Sequence, residues 1–190
     1  VKAMINNRKD ILLLLLYSPG QSKQKNEPIT GRTRLTKMIF LFQKEWFSLF
    51  KRDIHLQDEE FYNFFPWNYG PFSKEVYEDL TFFTLRDFIR EDNADEDTTP
   101  EAASEWSQWI STTEEQESST EYSEVAFSLT EKGSKFTKNM YENLSNDQKN
   151  ILEKFKTETQ KLSLRALLKY VYSKYPDYTT KSKIKDDILP

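Results

Sequence analysis

Cysteine is absent from this chain, and histidine occurs once, at position 55. The first absence removes disulfides, thiolate nucleophiles and cysteine zinc sites, and it fits a reducing compartment. The second removes, within one copy, any site built from two histidines or from a histidine paired with a nucleophile. Glycine is nearly as scarce. The residues at 20, 31, 70 and 133 are scattered, so no glycine-rich phosphate loop leads into a helix. Long apolar runs are missing too: Ile11 to Tyr17 is seven residues, against the roughly twenty that a membrane span requires. No small-residue cleavage site follows that run. Together these absences predict a soluble, cytoplasmic protein with no cofactor and no membrane partner.

Catalytic patterns are equally thin. No serine sits in a nucleophile elbow, and Pro176-Asp177 follows a terminal helix with no strand behind it, as a PD-(D/E)xK nuclease would need. Paired carboxylates concentrate in one acidic segment where nothing would bury them or raise a pKa; they could hold Mg²⁺ or Ca²⁺ only loosely. His55, beside Asp53 and Asp58, reads as a loop or packing residue.

What the sequence has in quantity is opposed charge. The net charge of −4 is the sum of two unlike regions. Between Glu91 and Glu124 twelve residues are acidic and none is basic, which leaves a remainder with 27 basic against 19 acidic residues, near +8. A basic body suits nucleic acid or an acidic partner; the acidic stretch suits a solvated loop or a strip that competes with such a ligand.

At 190 residues the chain suffices for one good core. Ile5 to Tyr17 predicts a helix with an unusually wide apolar stripe, closed by Ser18-Pro19-Gly20. Gln21 to Gly31 is polar and turn-rich and predicts a basic loop. A second helix is expected over Thr33 to Phe50, where Leu35, Met38, Ile39, Phe42, Trp46 and Leu49 keep helical spacing and Lys37 and Lys44 fall on the polar side. Aromatic density then peaks at Phe61 to Tyr69. The tight turn Tyr69-Gly70-Pro71 follows from the backbone freedom of glycine and the fixed φ of proline. Phe61, Phe64, Phe65, Trp67 and Tyr69 are expected to pack in the core and around that turn. Ser73 can cap a helix whose Phe72, Val76, Leu80 and Phe83 form an apolar face.

Alternation resumes after the acidic stretch at Tyr122, Val125, Phe127 and Leu129. Helix, strand, long connection, strand is the order of a winged-helix domain with a β-hairpin wing, here enlarged by an insertion carrying Trp106, Trp109 and Ile110 that could dock on the body or on a partner. Thr130 should cap the next helix, Ser145 with Gln148 forms a capping box for another, and Ser163 caps a last one that Pro176 stops. The expected fold is mainly α with a small antiparallel β-hairpin: a winged-helix-like single domain over residues 1–190, followed by C-terminal helices. Residues 1–90 form its helical core with the Tyr-Gly-Pro turn, 91–121 the acidic insertion, and 122–190 the second wing strand and C-terminal helices.

Two stretches carry a family resemblance. Leu35-Thr36-Lys37-Met38-Ile39-Phe40, followed by Trp67-Asn68-Tyr69-Gly70-Pro71-Phe72-Ser73-Lys74-Glu75-Val76-Tyr77, resembles the LxKLLY and WxYGPV…VY signature of Panacea-domain proteins, which include the SocA-like antitoxins. A longer set, from SPGQ through FPWNYGPFSKEVYEDL to LLKYVYSKYPDYTTKSKI, is similar to the YwgA-like group of small prokaryotic proteins. The resemblance implies a helical fold with winged-helix character and a role in neutralising a toxin or adapting another partner, with no catalytic residue.

Two functions are therefore expected. The first is a non-enzymatic protein-interaction module, antitoxin-like or regulatory, with a toxin or regulatory protein as partner. The second is a nucleic-acid-binding regulator with Arg32, Arg34, Lys37 and Lys74 as phosphate contacts and the acidic insertion as DNA mimic or brake.

Overall fold

The computed structural model describes residues 5–52, 54–93 and 125–189. The first helix, α1 (Arg8–Tyr17), is started by a capping box in which the Asn7 and Asp10 side chains each accept a backbone N–H of the other's turn. Every residue from Ile11 to Tyr17 is buried, as the wide stripe requires. A ten-residue helix is marginal alone. Burial at about 1.5–3 kcal/mol for each large apolar side chain is what holds it.

The loop that follows contains a strand the sequence pattern hid. Ile29–Thr30 (β1) pairs antiparallel with Val125–Leu129 (β5), placing Ile29 opposite Phe127. The other side of β5 pairs with Ile89–Asn93 (β4), with Ile89 opposite Leu129 and Asn93 opposite Val125. The predicted hairpin is thus part of a three-stranded sheet in the order β1-β5-β4. Its strands flank the acidic stretch as expected. Residues 94–124, including Trp106, Trp109 and Ile110, lie outside the described residues.

The second helix is α2 (Arg32–Leu41), continued by a π turn over Phe42–Trp46 and by α3 (Phe47–Phe50). In the π turn the N–H of Phe47 donates to the Phe42 carbonyl, five residues back. The inserted residue breaks the 3.6-residue repeat, and Leu49, expected on the apolar face, is instead 61% exposed.

A short hairpin comes next, β2 (Phe65–Trp67) with β3 (Gly70–Phe72), turning through Asn68 and Tyr69. It leads directly into α4 (Lys74–Leu85), whose Val76, Leu80 and Phe83 are buried. After β5 the remaining helices begin at their predicted caps. Thr130 accepts from Gly133 at the start of α5 (Glu131–Glu142), Ser145 and Gln148 cap each other at α6 (Asn146–Lys161), and Ser163 accepts from Ala166 at α7 (Leu164–Lys174). A 3₁₀ turn at Pro176–Thr179 and the short α8 (Lys185–Ile188) finish the chain. Gly133 sits where α5 crosses the backbone of Phe88 so closely that a Cβ would collide with the Phe88 carbonyl.

One apolar cluster runs through the molecule, joining α1, α2, α4, the sheet, α6 and α7. The fold is mainly helical with a small antiparallel sheet and C-terminal helices.

Candidate functional site

The β2–β3 hairpin is short, yet it is fastened at three points, and the segment leading into it at two more. Its register pairs Phe65 with Phe72, Pro66 with Pro71 and Trp67 with Gly70. Strand alternation puts Phe65, Trp67 and Phe72 on one face. That face is open: Phe65 is 41% and Trp67 45% exposed. The rings meet edge to face at 6.1 Å for Phe65–Trp67 and 5.5 Å for Phe65–Phe72, and Phe72 stacks on Tyr77 of α4 at 5.2 Å. A continuous aromatic strip therefore runs from the hairpin onto the first turn of α4.

On the opposite face Pro71 is buried and Pro66 half-buried, and the backbone is tied down. Lys37 Nζ donates to the Pro71 carbonyl at 2.8 Å. The Gln43 amide donates to the Tyr62 carbonyl and accepts from the Tyr62 N–H, replacing a strand partner. Glu75 accepts from the Asn63 backbone and is paired with Arg8. At the tip, the Asn68 carbonyl accepts from the Lys183 backbone at 2.9 Å. Gly70 has φ of +83° and rests against the ring of Tyr172, whose hydroxyl shares a hydrogen bond with Ser182.

The predicted phosphate contacts fare differently from one another. Lys37 is a correction: it is not on the polar side of its helix but 3% exposed, and burial lowers its pKa to about 7. Leu35, Met38, Ile39, Phe40, Leu41 and Phe42 surround it in sequence, and packing from several sides leaves α2 no polar side there. Arg32 is exposed but pairs with Glu91 at 2.7 Å and lies over the Phe127 ring. Arg34 donates to the Thr159 carbonyl. Lys74 pairs with Glu78 one turn along α4 at 3.5 Å. These four do not converge on one surface group.

Phe61 is buried, and Phe64 and Tyr69 pack against the core, as expected of turn-packing aromatics. Phe65 and Trp67 are the exceptions. The signal was present in Phe65-Pro66-Trp67, where a two-residue period places both rings on the side opposite the cross-strand pair of Pro66 and Pro71. His55 is exposed in a loop.

Three other polar centres are structural. Lys156 donates to the carbonyls of Leu16, Ser18 and Glu27 at 2.7–3.0 Å, clasping the end of α1 and the following loop. Burial lowers its pKa to about 7 against the attraction of Glu27. Asp79, also buried, receives Arg8 Nε at 2.9 Å and faces Lys9 at 3.7 Å, joining α1 to α4. Glu45, in the π turn, accepts from the hydroxyls of Tyr170 and Tyr175 and pairs with Lys174, joining the second helix to α7. Among the described residues no group of acidic or histidine side chains is arranged to hold a metal ion, and no helix is long and apolar enough to cross a membrane.

No family model matches the chain, and neither a curated protein nor a solved structure matches it.

Proposed function

We propose that the chain is a non-enzymatic, winged-helix-like protein-interaction module, antitoxin-like or regulatory, that recognises a protein partner through the aromatic strip of the β2–β3 hairpin. The observation that carries this is the exposure of Phe65 and Trp67 on a hairpin clamped from behind. Large rings held rigidly in water lose little conformational freedom on binding and contribute most where interfaces are tightest. Lys37, Gln43, Glu75 and Tyr172 supply that rigidity.

Winged-helix character is supported by the order α1, β1, α2, α4, β4, β5 and by a sheet in which β5 lies between β1 and β4. The resemblance around Tyr69-Gly70-Pro71 supports an antitoxin-like or adaptor role. In such an arrangement α4 would present its outer face, which carries Lys74 already paired with Glu78, together with exposed Thr81 and Leu85. That composition suits a protein better than a phosphate backbone.

A nucleic-acid-binding role has one observation in its favour, the basic balance outside residues 91–124. The two readings separate in one set of measurements. Affinity capture from the source cells should recover one stoichiometric protein with the parent chain and lose it with Phe65→Ser/Trp67→Ser. Equal recovery by parent and variant overturns the proposal. DNA binding that weakens steeply with salt, and strengthens when residues 95–123 are deleted, would establish the second reading instead.

A further inference from the structure

A second exposed face, remote in sequence from the hairpin, combines apolar and cationic groups. Leu85 is 80% and Phe136 49% exposed. Phe88 meets Phe136 edge to face at 5.3 Å, and Lys132 Nζ lies 5.1 Å from the centre of the Phe88 ring while donating to the Arg86 carbonyl at 2.8 Å. Lys132, Lys135 and Phe136 share one side of α5 by helical spacing. Arg86 lies over Phe82 at 3.7 Å. Many exposed cations of this protein have a carboxylate within range, as Lys23 has Glu153 and Lys138 has Glu142. Among the described residues Arg86, Lys132 and Lys135 have none. Asp87 and Glu131 are the adjacent carboxylates, and neither pairs with them.

We infer that Leu85, Arg86, Phe88, Lys132, Lys135 and Phe136 form a docking face for an acidic peptide segment of a partner protein, one that alternates carboxylates with apolar side chains. Arg86 and Lys132 each stand over an aromatic ring on one side and leave the other side to a carboxylate. Leu85 and Phe136 offer the apolar contact that a purely ionic ligand would leave uncovered. A long polyanion or an anionic bilayer fits less well, because it would meet a chain of net charge −4. The face lies at the Ile89–Leu129 end of the β4–β5 pair.

The test uses the full chain and a short fluorescein-labelled peptide in which glutamate alternates with leucine and tryptophan, followed by anisotropy. The parent should bind it. A matched peptide with glutamine for glutamate should bind about tenfold more weakly, the scale set by losing close charge pairs. Lys135→Glu and Phe136→Ser, both at exposed positions, should each weaken the glutamate peptide with unchanged circular dichroism and melting temperature. Phe65→Ser/Trp67→Ser should leave it unaffected, which separates this face from the hairpin. No binding by the parent, equal binding of the glutamine peptide, or indifference to both α5 substitutions overturns the inference. So does tighter binding of oligothymidine or of phosphatidylserine vesicles in competition with the peptide.

Discussion

A Cβ placed on Gly70 would stand 2.7 Å from Cε1 of Tyr172, while the backbone there holds φ at +83°. Space and conformation both require glycine, and the two demands can be separated. Gly70→Ala should cost about 2–5 kcal/mol, combining about 1–2 for the left-handed conformation with about 1–3 for overpacking. In a Tyr172→Leu background the same change should cost less, because only the conformational part remains. Urea denaturation of the four proteins measures the coupling. An unchanged cost in the second background would mean that the ring is not what the glycine accommodates.

Lys37 sets a pH dependence of unusual sign. Its folded pKa is lowered by burial to about 7 from 10.5, so between those values the unfolded chain holds the proton more tightly. Stability should therefore rise with pH from about 7 towards 10, by up to about 1.4 kcal/mol per pH unit for each lysine so placed. Lys156 adds to the same window. Tyr172, pushed up to about 12 by burial, reverses the trend above pH 10, where the unfolded tyrosine ionises first. Lys37→Met should flatten the rise and stabilise the protein at pH 6. A parent profile flat between pH 7 and 10 would contradict this.

Lys156 should respond oppositely to the same replacement. Three carbonyls, two buried and one part-buried, lose their donor in Lys156→Met, and each orphaned acceptor is costly. A loss of about 3 kcal/mol at pH 7 is expected from chemical denaturation. The contrast with Lys37, which serves one carbonyl, tests whether acceptor count or burial decides the outcome.

Phe65→Ser and Trp67→Ser should barely change stability. Both rings are exposed and the clamps act on backbone groups, so melting should shift by only about 2 °C, the effect of roughly half a kcal/mol or less. A large drop in melting temperature would assign the rings to the core.

Features decided within a few residues were legible in the sequence. Thr130, Ser145 with Gln148, and Ser163 cap their helices as read, because a cap depends on a side chain and backbone groups less than one turn away. The strand after the acidic stretch was also readable from alternation at Val125, Phe127 and Leu129. What was not legible depends on distant partners. Two residues of β1 carry too little pattern to announce themselves; Ile29 becomes strand only because Phe127 lies beside it. Lys37 follows the same rule, since its burial is set by Pro71, thirty-four residues away. In the candidate site, composition identified the aromatic stretch, but only the cross-strand register divided it into a buried and an open face.

The π turn at Phe42–Trp46 gives the second helix a property that its length does not suggest. Lys37 reaches the hairpin, Gln43 the Tyr62 backbone that leads into it, and Glu45 α7. Deleting one residue within the turn would restore a uniform helix and rotate everything beyond it by about 100° relative to Lys37. One set of attachments or the other would then be out of phase. The turn acts as an angular offset between two halves of one rod, so this segment should tolerate substitution far better than a change in its number of residues.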